Sequence, residues 1–308
     1  MTLLITHPDA DLHLTPPGHP EQVARLPAIR RALEGMPLDR RGALPATDAH
    51  LLRCHPQDYL DRLDAAAPSE GWAQLDADTF LSPGSLRAAR LAAGGAVQAV
   101  DAVVEGRTRS AFVAMRPPGH HAETATPMGF CLFGTVAVAA KHALDHHGLD
   151  RVAVIDFDVH HGNGTQDLLW DEPRALFVST HQSPLWPGTG AASERGAHDN
   201  VMNVPLPPGS DGAEIRARFT DDVLPRLEAF APKLILVSAG FDAHRADPLA
   251  NLNWETEDYV WLTGRICDVA RRHARGRVVS CLEGGYDLDA LAEAGAAHVD
   301  VLRGLDDG

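Results

Sequence analysis

Arg151–Gly164 reads RVAVIDFDVHHGNG. It opens as an apolar, β-branched run and then crowds Asp156, Asp158, His160 and His161 into a few positions. A run this apolar belongs to a strand buried on both faces. Carboxylates at the end of such a strand are costly unless paired or bound to metal. The stretch therefore predicts both a buried strand and a site at its carboxyl end.

Similar runs recur at "LLIT" near Leu3, "AFVAM" at 111–115, "ALFVST" at 175–180, "KLILVSAG" at 233–240 and "RVVSCLEGG" at 277–285. Their two-sided apolar character suits parallel strands covered on both faces. Helical periodicity fills the intervals at about 21–35, 56–66, 84–105, 135–148, 211–230, 256–274 and 287–304, with Pro27 and Pro225 placed to break or kink two helices. The alternation predicts an α/β fold, three-layer αβα around a central, mostly parallel sheet. The Pro/Gly-rich stretches read as functional loops rather than linkers, so residues 1–308 are expected to form one domain.

Composition narrows the function. The formal charge of −15 disfavours nucleic-acid and anionic-membrane partners. The four cysteines, Cys54, Cys131, Cys267 and Cys281, form no C-x-x-C pair, which fits a reducing compartment. The start, "MTLLITHPDADLH", lacks a basic segment and a long apolar core, and no run approaches a membrane span of about 20 apolar residues. A cytoplasmic protein, a possible homo-oligomer, is expected.

Four motifs follow predicted strands: "RPPGHH", "DFDVHHGNG", "AGFDAHRADP" and "EGGYD". In an open parallel sheet the ligand crevice lies at that carboxyl edge. Strand alternation puts Asp158 and His160 on one face. Adding Asp242 from "SAGFD" makes a carboxylate–imidazole–carboxylate set, which describes catalytic zinc with an open position. The same donors would accept Fe(II) or Mn(II). His120 and His121 can act as general base and electrostatic partner near neutral pH. Tyr286, after a Gly–Gly pair, can donate to a developing oxyanion. His161 should point away from this set, and His146–His147 beside Gly148 have at most a helix-capping role.

Together, "RPPGHHA", "MGFCLF", "VIDFDVHHGNGTQ", "SAGFDAHRADPL" and "LEGGYDL" resemble the histone deacetylase superfamily, which includes bacterial histone deacetylase-like amidohydrolases, acetylpolyamine amidohydrolases and acetoin-utilization proteins. "HHGNG" with "LEGGY" looks like its class II branch, and the family's order spans nearly the whole chain. The resemblance implies an arginase/deacetylase-like fold and zinc on Asp158, His160 and Asp242. It makes His121 the base and then the acid, and His120 the electrostatic partner oriented by Asp156. Asn163 would support His121, and Tyr286 would polarise the scissile carbonyl. It further implies an acyl tunnel walled by Phe130 and Trp186 with room left by Gly129 and Gly284, and a polar rim contact at Asp78. Structural potassium would sit at the backbone of Asp156, Asp158, His160 and Thr180 with the side chains of Asp156 and Ser179. Where relatives commonly carry two asparagines this chain has Gly134–Thr135, and Thr135 could cap the next helix.

The implied activity is hydrolysis of an N-acyl amine, small molecule or peptide, by metal-activated water. Polyamine-specific relatives place an acid after "FDAHRxDP", where this chain has Leu249. That favours acyl-lysine over acetylpolyamine, although another loop, such as the one carrying Glu21, could supply the acid. Two further readings are a dinuclear manganese ureohydrolase of the arginase type and a non-catalytic acyl-binding module.

Overall fold

The computed structural model describes residues 1–306. Its strands are β1 (Leu3–Thr6), β2 (Asp39–Gly42), β3 (Ala73–Gln74), β4 (Phe80–Leu81), β5 (Ser110–Val113), β6 (Val152–Asp156), β7 (Ala175–Gln182), β8 (Val201–Leu206), β9 (Leu234–Ala239) and β10 (Val278–Leu282). The α-helices are α1 (Arg25–Ala32), α2 (Asp48–Leu51), α3 (Gln57–Ala66), α4 (Ser85–Val104), α5 (Thr135–Asp145), α6 (Asn163–Leu169), α7 (Gly212–Arg218), α8 (Leu224–Phe230), α9 (Thr256–His273) and α10 (Leu288–Arg303).

Eight strands make one sheet in the order β2-β1-β5-β10-β9-β6-β7-β8, while β3 and β4 form a small hairpin. Every pairing in the large sheet is parallel. All residues of β5, β6, β7, β9 and β10 are buried, as continuous apolar runs require when helices cover both faces. Side-chain alternation in β5 shows the two layers. The Phe112 ring meets His298 of α10 at 5.9 Å, whereas a Cβ added to Gly95 of α4 would touch Val113. Thus α10 and its neighbours α1 and α9 cover one face, and α4 with α5 the other.

The expected strands and helices are present with shifted ends. Two sheet strands had no counterpart in the apolar pattern, and both are edges: β2 is the polar "DRRG", and β8 carries Pro205, tolerable only where no further strand needs its N–H. Pro27 falls in the first turn of α1 and breaks nothing. Pro225 does interrupt the helical stretch. The chain passes through a π-turn at Phe219–Val223 between α7 and α8, which accommodates a residue that lacks an N–H and crowds the preceding carbonyl. Thr135 does not cap α5. Gly134 holds the capping position, donates its N–H to His55 Nε2 at 2.9 Å, and leaves no room for a Cβ against Leu168.

Candidate active site

The four motif-bearing strands are neighbours, β5-β10-β9-β6, so their carboxyl ends bring residues far apart in sequence to one rim. β6 stops at Asp156, which changes the reason Asp158 and His160 converge. They lie in a turn beyond the strand. There the Asp158 N–H donates to Asp156 Oδ1 (3.1 Å) and the His160 N–H to Asp158 Oδ1 (2.9 Å). These carboxylate-anchored turns, rather than strand alternation, place both side chains together.

Asp158, His160 and Asp242 each offer a donor atom within 4.8 Å of the others, and all three are buried. His160 Nδ1 lies 3.2 Å from Asp158 Oδ1 and 3.2 Å from Asp242 Oδ2. The backbone orients both carboxylates, with the Gly284 N–H on Asp158 Oδ2 (2.8 Å) and the Val159 N–H on Asp242 Oδ1 (2.9 Å). Glycine is required beside them. A Cβ on Gly284 would lie 2.2 Å from Asp242 Oδ2 and 2.5 Å from Asp158 Oδ2, and one on Gly240 would lie 2.0 Å from Asp158 Oδ2. Burial and the Asp158 charge raise the Asp242 carboxyl to about 6. Burial works against a charge on His160, yet the two carboxylates outweigh it and raise the imidazole to about 10. Two buried carboxylates and an imidazole within reach of one another make an oxygen/nitrogen donor set that would fit a zinc-like ion.

The two tandem histidines are in opposite states. His120 Nδ1 lies 2.9 Å from Asp156 Oδ2, and its Nε2 is 3.7 Å from Asp158 Oδ2. Burial alone would lower its pKa, but Asp158 and Asp156 raise it well above the usual value and make it an imidazolium. His121 Nδ1 faces Asn163 Oδ1 at 2.7 Å. The Asn163 amide donates from Nδ2 to Glu123 Oε1 at 2.8 Å, and a carboxylate only accepts, so Oδ1 must face His121. His121 therefore carries its hydrogen on Nδ1 and keeps the Nε2 lone pair free. Burial, then the positive charges of His120 and His160, push its pKa well below normal.

A cavity of about 370 Å³ leads down to this group. Its lining includes Asp78, His121, Gly129, Phe130, His160, Trp186, Leu249 and Tyr286. The Trp186 ring packs edge-on to His121 at 4.7 Å, and Phe130 edge-on to Tyr286 at 5.9 Å. Gly129 has φ +55°, and its bare Cα lets both His121 and Trp186 approach. Gly284 does not line this cavity; its neighbours are the two carboxylates. Glu21 cannot be the rim acid. It is fully buried, 3.1 Å from Arg25 and paired with Arg116 and His13. His161 turns away to Thr189 (2.7 Å) and Gln166 (3.0 Å). Asp156 pairs in register with Ser179, whose hydroxyl contacts His181 Nδ1 at 2.9 Å, and the Thr180 hydroxyl reaches the Asp156 carbonyl at 3.5 Å.

Sequence reasoning passed over four supporting groups. Glu283 accepts the Gly119 and His120 N–H groups (2.6 and 3.1 Å) and so holds the "GHH" turn. Asp247 accepts the Tyr286 N–H (2.7 Å). Arg25 donates to the Gly285 and Glu283 carbonyls (2.6 and 2.5 Å) and lies 4.9 Å over the Tyr286 ring. Glu123 fixes Asn163. Glu283 and Asp247 sit inside the quoted motifs, where a carboxylate following a buried strand or preceding a proline was the available signal.

Comparison with known proteins matches residues 19–302 to the histone deacetylase domain. An uncharacterized protein of Synechocystis is 48% identical, covering 92% of this chain and 93% of that protein. The histone deacetylase-like amidohydrolase of Pseudomonas aeruginosa is 42% identical over 87% of this chain and 71% of its own length. The crystal structure of the HDA15 HD domain superposes with a TM-score of 0.93 at 33% identity, covering 98% of this chain and 88% of that one.

Proposed function

The chain belongs to the histone deacetylase family, and from that premise we propose that it is a zinc-dependent amidohydrolase acting on acyl-lysine or a related N-acyl amine, with acetyl as the usual acyl group. One observation carries the reading: His121, kept neutral by burial and the neighbouring positive charges and held in one tautomer by the Asn163–Glu123 chain, stands beside a three-donor metal set at the foot of a mainly apolar cavity.

Asp158, His160 and Asp242 would hold the zinc ion, which when bound supplies a Lewis acid for the amide carbonyl and a water of lowered pKa. The acyl chain enters between Phe130 and Trp186, where Gly129 allows close approach. His121 Nε2 takes a proton from the attacking water as the new C–O bond forms. Tyr286 donates its hydroxyl hydrogen bond to the carbonyl oxygen as negative charge grows there. The His120 cation, held by Asp156, lowers the potential cost of that charge without giving up its proton. His121 then returns its proton to the nitrogen as the C–N bond breaks, releasing a carboxylic acid and an amine. Structural potassium near Asp156, Asp158, His160, Ser179 and Thr180 belongs to the same proposal, as does work in the cytoplasm, where the four free cysteines would stay reduced.

Apolar Leu249 and Trp186 at the cavity favour an uncharged acyl-lysine stem. A second reading, an acetylpolyamine substrate, draws support from Asp78, the single carboxylate among the described residues on the lining. Metal-quantified protein assayed on acetyl-lysine peptide, free acetyl-lysine and acetylated polyamines separates the two. Tyr286→Phe should keep its metal and lose about 10²–10³-fold in kcat. Full turnover in that variant would remove Tyr286 from the chemistry, and no acid release from any substrate would revive a binding module.

A further inference from the structure

A second group of metal-ligating side chains lies on the α4–α5 face of the sheet, where Asp101, His142, His146 and His147 come together. Nothing in the proposed reaction uses them. His142 and His146 are four apart, so the helix stacks one above the other. His147 follows at the helix end, where Gly148 at φ +65° turns the chain away. α4 packs along α5 and brings Asp101 to the same spot.

The group is drawn inward. His142 Nε2 and His147 Nε2 both lie 2.7 Å from the same oxygen, Asp101 Oδ1. The His142 and His146 rings stack at 4.7 Å with 15° between planes, and His147 lies edge-on at 5.3 and 4.9 Å. One donor atom from each of the four residues falls within 4.8 Å of all the others. His50 of α2 closes one side, 5.4 Å from His142. His142 is buried, and its Nδ1 has no hydrogen-bond partner.

A helix clasp made only of hydrogen bonds would need one imidazole on the carboxylate. Here two imidazoles donate to the same carboxylate oxygen and a third stacks on His142, so three rings crowd where one would serve and would repel each other once protonated. We propose that Asp101, His142, His146 and His147 bind a divalent transition metal, zinc-like in preference, as a structural site that pins α4 to α5. Three imidazoles and a carboxylate complete a tetrahedral shell, with no position left open for water or substrate. Zinc–nitrogen bonds of about 2.0–2.1 Å set donors about 3.3 Å apart, so only small rotamer adjustments separate the present spacing from a closed site. The site is open to solvent through His146, so an ion can enter without unfolding.

The test counts zinc ions and reads stability separately from catalysis. After equilibration with Zn²⁺ and desalting, the wild type should retain two ions per chain. His146→Ala/His147→Ala should retain one and keep its deacylation rate, while Asp242→Ala should also retain one and be inactive. In Asp242→Ala, added Zn²⁺ should raise the unfolding temperature, and removing His146 and His147 from that background should abolish the rise and weaken zinc binding more than tenfold. His146 is exposed and His147 sits at the end of α5, so the double variant should still fold, which circular dichroism checks. Equal zinc content in wild type and the double variant, or the same temperature rise without the two histidines, would overturn the site.

Discussion

At the site, protonation is set by what each side chain faces rather than by its residue type. His120 and His121 are adjacent in sequence with ring centroids 3.9 Å apart, yet one faces two carboxylates and the other a neutral amide. Converting that amide to a carboxylate is therefore a controlled perturbation. Asn163→Asp places a negative charge against His121 Nδ1 and favours the protonated ring. A base with a raised pKa stays blocked by its proton to higher pH. The acidic limb of the kcat/KM profile should accordingly move upward by about one pH unit or more, while metal content stays the same. The new carboxylate also faces Glu123, whose repulsion tempers the shift. Asn163→Asp/Glu123→Gln should consequently show the larger displacement, and an unmoved acidic limb in both would separate Asn163 from the base.

Among the elements, the loop leading into α1 is tied to the end of β5 through buried charge. Glu21 takes a bidentate pair from Arg116 and a third contact from Arg25, and none of the three side chains is more than marginally exposed. Removing one partner of such a network leaves the others as uncompensated buried charges, at about 3–5 kcal/mol. Glu21→Ala should lose that much in urea unfolding. It should also lower turnover, because Arg25 carries the Gly285 and Glu283 carbonyls beneath Tyr286. A loss below about 1 kcal/mol would contradict the network. Glu21 also marks the boundary of what sequence could show. In "GHPE" it is an ordinary polar loop residue, and only the folded chain reveals Arg116 waiting 95 positions away. The core strands were legible because burial on both faces forces continuous apolar runs, and β6 and β9 were plain for that reason. The edges β2 and β8 were not, since one unpaired side frees them to be polar or to hold Pro205. The motif residues were likewise legible by chemical type, whereas the turns that aim Asp158 and His160, and the Glu123 and Glu283 props, depend on long-range neighbours.

Across the whole molecule, burial stores two opposing sets of protons. Burial holds His55 and His161 down to about 4, and His181 and His298 to about 3, so these rings fold neutral. Burial likewise raises Glu283 and Asp247 to about 7 and Asp242 to about 6. The histidines make folding weaker as pH falls below 6.5, because the unfolded chain then binds protons that the folded chain refuses. The carboxyls act the other way, binding protons in the folded state that the unfolded state releases. Net acid sensitivity of the wild type is the difference between the sets, and a single variant isolates one member. His298 is suited to this: it is fully buried between α9, α10 and β10, bonded to Thr263 (2.7 Å) and Ser280 (2.8 Å), with burial the sole cause of its shift. His298→Asn should be less stable than wild type at pH 7, having lost packing and a fitted hydrogen bond. It also has no proton to refuse, so the wild type gives up about 1.4 kcal/mol per pH unit that the variant keeps. Urea unfolding of chelator-treated proteins should therefore show the two stability curves converging by about 1.6 kcal/mol between pH 6.5 and 5. Curves that stay parallel over that interval would mean His298 takes up its proton in the folded core.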